Sequence, residues 1–134
     1  MQELELLNLA KKAREKAYAP YSKFKVGATI LMKDGTIIEG CNVENAAYSL
    51  TICAERNALT SMVQRGYKKE DVLEMAIVAD TENPCSPCGA CRQVMNELLK
   101  QDTKIILGNL RDELQITSVK ELLPFSFGKE ELDK

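Results

Sequence analysis

The chain contains no histidine. That absence removes Ser-His-Asp and Cys-His nucleophile systems and every histidine-bearing metal site, so a transition metal here would be held mainly through sulfur. No segment approaches the ~18 consecutive apolar residues of a membrane span, although 45% of the residues are apolar. Basic blocks are missing too, and the net charge is −2. That balance argues against holding a polynucleotide by its phosphates but does not exclude a nucleoside, which carries none. There are no repeats or low-complexity tracts. The opening residues Met1-Gln2-Glu3-Leu4-Glu5 are acidic where a secretory leader is basic and then apolar, so the expected location is cytoplasmic. In that compartment five cysteines read as thiols or metal ligands, not disulfides.

At 134 residues the chain fits one domain, 1–134. Leu4, Leu7, Ala10, Ala13 and Ala17 recur at helical spacing, which predicts an amphipathic helix from Gln2 to about Tyr18, ended by Pro20. Val26 to Met32 and Thr36 to Cys41 read as a hairpin across a two-residue Asp34-Gly35 turn. A polar loop leads to a helix from about Cys53 to Gln64 that stops at Gly66. Met75 to Ala79 is a buried strand, 81–87 a loop, and Gly89 to Leu99 a helix with Val94, Leu98 and Leu99 on one side. Lys104 to Leu107 and Leu114 to Thr117 are too closely joined to pair other than antiparallel. Ser118-Val119-Lys120-Glu121 matches a capping box and opens a short helix closed by Pro124. The order αββαβαββα implies a three-layer α/β/α sandwich around a mixed sheet of about five strands.

Two segments carry the chemistry: Cys53-Ala54-Glu55 and Pro87-Cys88-Gly89-Ala90-Cys91. Cys53 falls where a loop becomes a helix. Pro87 forces the next helix to begin at or just after it, which puts Cys88 and Cys91 on one face of a first turn. Unpaired N–H groups at helix starts favour thiolates there. Three thiolates leave a zinc ion an open position for water, whereas four close a structural site. Cys85-Ser86-Pro87-Cys88 is a second C-x-x-C, so a closed site of Cys53, Cys85, Cys88 and Cys91 is the alternative. Small Gly89 and Ala90 favour pairing Cys88 with Cys91, by allowing a tight turn around a metal. Cys41, on a β-rich segment, reads as a buried apolar thiol. Three thiolates and a zinc dication leave one net negative charge. Arg56, three residues past Cys53, is the expected compensating cation, the alternative being a solvated helix arginine. Glu55, two residues from a ligand, is the acid/base candidate. Asn42 and Glu44 alternate on an extended segment and put two polar groups on one side, or else form an ordinary turn.

Beyond these segments, Tyr18-Ala19-Pro20-Tyr21-Ser22-Lys23-Phe24-Lys25-Val26-Gly27-Ala28, Gly40-Cys41-Asn42-Val43-Glu44-Asn45-Ala46-Ala47-Tyr48-Ser49, Cys53-Ala54-Glu55-Arg56, Ser86-Pro87-Cys88-Gly89-Ala90-Cys91-Arg92-Gln93 and Glu121-Leu122-Leu123-Pro124 follow one another in the order of a known family. The chain resembles the small homotetrameric cytidine deaminases over nearly its whole length. The resemblance implies one zinc ion per subunit on Cys53, Cys88 and Cys91, a water activated there, and Glu55 moving protons to N3 of the base and to the departing amine. It implies hydrolysis of cytidine and deoxycytidine to their uracil counterparts and ammonia, within pyrimidine salvage. It also implies sugar contacts from Asn42 and Glu44, Phe24 beside the nucleoside and the backbone of Ala54 on the base. Ala46 and Tyr48 are expected from one neighbouring subunit and Phe127 from another. By residue type alone, Phe24 and Phe127 would be ordinary core.

Overall fold

Five strands, Val26–Met32 (β1), Ile37–Cys41 (β2), Val72–Ala79 (β3), Lys104–Asn109 (β4) and Leu114–Ser118 (β5), form one sheet of order β2-β1-β3-β4-β5. The computed structural model describes residues 1–132. β3 and β4 run parallel and every other neighbouring pair is antiparallel, so the sheet is mixed. The parallel pair is possible because the connection between them carries a helix, Gly89–Leu98 (α3). The central strands are mostly apolar on both sides because both faces of the sheet are covered, the buried Thr29 of β1 donating its hydroxyl to the Leu6 carbonyl at 3.0 Å. Ala28, Ile30, Met75, Ile77, Ile105 and Leu107 point to one face, and Leu31, Ala76, Val78 and Ile106 to the other.

The second face is covered by Glu3–Arg14 (α1), through Leu6, Leu7 and Ala10. The first is covered by Ala54–Gln64 (α2), α3 and Val119–Leu122 (α4), through Ala58, Leu59, Met62, Met95, Leu99, Val119 and Leu122. The three layers and the element order are those the periodicity predicts. Leu99 is buried in the core and Val94 and Leu98 pack against it, as expected, while within α3 itself Cys91, Met95 and Asn96 lie deepest.

Three local expectations are corrected. α1 ends at Arg14, well before Pro20. The chain leaves the helix because Tyr18 pairs instead with the segment beyond β2: its N–H donates to the Asn42 carbonyl (2.9 Å) and its carbonyl accepts from Glu44 N–H (2.8 Å). The β1–β2 connection is a three-residue loop, 33–35, not a two-residue one. Gly35 N–H donates to the Met32 carbonyl at 2.9 Å and Gly35 alone in the loop has positive φ. That is a type I turn followed by a left-handed glycine, whereas the two-residue turn needs positive φ at both central positions. Cys41 is half-buried, not buried, because β2 is an edge strand. The end of α2 is as predicted: Gly66 (φ +87°) closes it, with Gly66 N–H on Val63 O and Tyr67 N–H on Met62 O.

Gly40 sets how closely α2 sits on the sheet. A Cβ there would lie 2.4 Å from the Ala54 carbonyl oxygen and 2.6 Å from the Ala58 nitrogen, both backbone atoms that cannot rotate aside. Gly40→Ala is expected to cost about 1–3 kcal/mol, read as a lower urea midpoint with an unchanged slope. An unchanged midpoint would mean that α2 is free to shift outward.

Candidate active site and metal centre

Cys53 and Cys88 are the N-cap residues of α2 and α3, each with extended backbone angles and no side-chain capping bond. Their thiols are therefore left free to point away from their own helices. Cys91, in the first turn of α3, is fully buried. The three sulfurs lie within 4.8 Å of one another, with Cys53–Cys88 at 3.9 Å and Cys88–Cys91 at 3.5 Å. A tetrahedral zinc with bonds of ~2.3 Å places its sulfurs roughly 3.8 Å apart, so the donor set fits that ion. Among the described residues this is the one such group. Cys85 stands outside it: buried, with its N–H on the Gly108 carbonyl at 2.9 Å. The four-thiolate arrangement is not formed. A Cβ at Gly89 would meet nothing within 4 Å, so the expected need for a small residue there does not arise within this chain.

The charges around the sulfurs are uneven. The Cys53 thiol is pushed down to about 5, first by hydrogen bonding from the Cys91 thiol and then, against burial, by Arg56. The Cys91 thiol is pushed up by the same bond and by burial. Arg56 Nη2 lies 3.5 Å from Cys53 Sγ and donates to the Thr51 carbonyl at 3.3 Å. Its buried Nε has no partner, so the guanidinium is turned inward on the sulfurs and is not a solvated helix arginine.

Glu55, in the first turn of α2, is 4% exposed. Burial raises its carboxyl from 4.5 to about 7, with the Cys53 thiolate adding to the rise. A carboxyl poised near neutrality both takes and gives a proton at physiological pH. Burial and Glu55 together push the Cys85 thiol up to about 12, which leaves it a neutral wall.

A pocket of about 240 Å³ opens over this floor. Its lining includes Phe24, Asn42, Glu44, Cys53, Ala54, Glu55 and Cys88, so seven of the expected site residues meet there in one chain. Asn42 and Glu44 are buried and more than turn formers. Phe24 is 43% exposed and Phe127 58% exposed, so neither is core. Ala46, Tyr48 and Phe127 do not reach the pocket of their own chain. Tyr48, 70% exposed, lines a shallow depression beside it with Glu44 and Arg56. Sequence reasoning missed Ser22, Thr51 and Ser86, which also line the pocket. The nearest signal was position: each lies within two residues of a residue already singled out.

A match to the cytidine and deoxycytidylate deaminase zinc-binding region extends over residues 1–108. The cytidine deaminase of Halalkalibacterium halodurans is 54% identical over 128 residues, which is 96% of this chain and 96% of that protein. The crystal structure of cytidine deaminase from Burkholderia pseudomallei superposes with a TM-score of 0.92 at 50% identity, over 95% of this chain and all of that one. The structure of cytidine deaminase from Mycobacterium tuberculosis gives 0.80 at 35% identity, over 96% and 98%.

Burial of Glu55 has a pH signature in the zinc-free protein. The native carboxyl keeps its proton up to about 7, while an ordinary one releases it near 4.5. Between those values the folded state holds a proton that the unfolded state lacks, so this group's share of stability falls as pH rises. The loss from below pH 4.5 to above pH 7 should be about 3 kcal/mol. Glu55→Gln should remove it, seen as the difference between the two proteins' stability–pH curves after chelation. Parallel curves would show that Glu55 is not buried as a carboxyl.

Proposed function

The chain belongs to the cytidine and deoxycytidylate deaminase zinc-binding family, and from that premise we propose that it hydrolyses cytidine and deoxycytidine to uridine and deoxyuridine with release of ammonia. The observation that carries this reading is Glu55, a buried carboxyl held near neutrality beside three converging thiols. Cys53, Cys88 and Cys91 would hold the zinc ion, which when bound supplies Lewis-acid activation of a water at neutral pH. Glu55 would take a proton from the water as its oxygen bonds to C4 and pass it to N3 of the cytosine. It would then take the proton of the new C4 hydroxyl and pass it to the amine, which leaves as ammonia as the C4–N bond breaks. The Ala54 N–H, at the first position of α2, has no acceptor within its helix and is offered to the base. Phe24 packs beside the nucleoside. Arg56 offsets the surplus negative charge of the thiolates.

At the sugar end Asn42 and Glu44 take the hydroxyls. The Ser22 hydroxyl, followed in effect by burial in the opposite sense, leaves the Glu44 carboxyl below its ordinary value. An ionised carboxylate there repels a sugar phosphate, which favours nucleoside over deoxycytidylate. A homotetramer would complete the pocket, with Ala46 and Tyr48 from one neighbour and Phe127 from another. The exposure of Tyr48, Leu50, Ile52 and Phe127 on one chain supports that assembly. The proposed setting is cytoplasmic pyrimidine salvage. No helix among the described residues is long and apolar enough to cross a membrane.

The reading is tested by loss of cytidine absorbance and release of ammonia, with and without a zinc chelator. Glu55→Ala should keep zinc and lose turnover by at least ~10²–10⁴-fold. Single alanine replacements of Cys53, Cys88 and Cys91 should each lose zinc by elemental analysis, and that of Cys85 should not. Zinc loss from the Cys85 variant would revive a fourth ligand.

Sharing of sites between subunits has its own test. Glu55→Ala mixed with Phe127→Ala should regain part of the activity once mixed tetramers form, because some sites then combine an intact Glu55 with an intact Phe127. No recovery in demonstrated mixed tetramers would mean that Phe127 serves no neighbour's site.

A further inference from the structure

The segment between α1 and β1 has no regular structure, yet it forms one wall of the pocket through Ser22 and Phe24. It is tied down by the two side chains assigned above to the sugar. Asn42 Oδ1 accepts from Val26 N–H at 2.8 Å and its Nδ2 donates to the Phe24 carbonyl at 2.8 Å. Glu44 Oε1 accepts from the N–H groups of Tyr21 (3.0 Å) and Ser22 (3.1 Å). Glu44 Oε2 accepts from the Ser22 hydroxyl, whose oxygen in turn accepts from Phe24 N–H at 3.0 Å. Between them Lys23 sits at φ +62°, a left-handed conformation that a lysine keeps only where its neighbours are held.

A carboxylate offers about four acceptor positions. Ser22 and Tyr21 fill three of those on Glu44, and Oε2 keeps one. We propose that Ser22 is a positioning residue for the sugar: its hydroxyl fixes the Glu44 carboxylate so that Oε2 has room for a single donor, the sugar 3′-hydroxyl. The inference rests on the deaminase reading and deepens it. A rotating carboxylate would still be charged but would meet the sugar hydroxyl in many orientations, so loss of Ser22 should weaken binding of the hydroxyl and leave proton transfer at Glu55 untouched.

The test compares Ser22→Ala and Ser22→Thr with the unmodified holoenzyme on cytidine and on 2′,3′-dideoxycytidine, at matched zinc content and thermal midpoint. Ser22→Ala should raise KM for cytidine by roughly tenfold with kcat within twofold. On dideoxycytidine, which lacks the 3′-hydroxyl assigned to Oε2 and keeps only the 5′-hydroxyl, the same variant should differ from the unmodified enzyme by less than about twofold. Ser22→Thr, which restores the hydroxyl, should recover most of the loss. Equal losses on both substrates, or a loss confined to kcat, would overturn the inference and make Ser22 a general support of the loop. An unchanged KM for cytidine would overturn it as well. If the unmodified protein does not turn over cytidine, the deaminase reading falls and this inference falls with it.

Discussion

Three sulfurs within 4.8 Å of one another require two helices from distant parts of the chain to begin at the same point. Much of the architecture serves that convergence. α2 is brought in by Gly40, whose missing side chain lets the helix backbone lie against β2. α3 is brought in because β3 and β4 are parallel, which requires a crossover, and that crossover passes over the face that α2 also covers. The loop ahead of α3 is then pinned by the bond from Cys85 N–H to the Gly108 carbonyl on β4. With both helix starts fixed to strands of one sheet, Cys53 and Cys88 as N-cap residues need no freedom of their own to meet.

The same few ångströms must keep a thiolate charged and a carboxyl protonatable, and the two demands are met by different forces. Hydrogen bonding from Cys91 and the nearby guanidinium outweigh burial at Cys53. At Glu55 burial dominates, although the start of α2 favours a negative charge there. Cys85 shows what burial does without a compensating cation: its thiol moves up and contributes only apolar surface. Arg56 adds to the bond from Cys91 in keeping the charge on Cys53, since its Nη2 is directed at Cys53 Sγ.

The regular elements could be read from periodicity because the sheet is covered on both faces, so β1 and the Met75–Ala79 part of β3 are dominated by apolar residues while α1 and α2 carry a 3.6-residue stripe. The sulfur group was legible because its spacing and Pro87 fix which helix turn Cys88 and Cys91 occupy. What escaped was set by contacts distant in sequence. Nothing in residues 15–19 announces that Tyr18 will leave the helix to pair with Val43. Asp34-Gly35 suits two turn types, and pairing of Met32 with Thr36 selects the longer. Ser22 lacked a local signal because its role depends on Glu44, 22 residues away in sequence.

Asn42 and Glu44 therefore serve two structures at once. Each side chain holds the 20–26 segment by its backbone and also faces the pocket. A polar residue buried solely to bind a ligand would lack partners in the empty enzyme, at a cost of about 1–3 kcal/mol for each unsatisfied group. Here the wall of the pocket supplies those partners, so Asn42 and Glu44 are held before any ligand arrives and the sugar end is largely preorganised when it does. The aromatic residues face the opposite constraint. Tyr48 and Phe127 find no cover on their own chain, while a small ligand needs most of its surface enclosed. On the proposed reading one contact between subunits answers both needs, because the neighbour that covers Tyr48 or Phe127 is also the chain whose pocket they close.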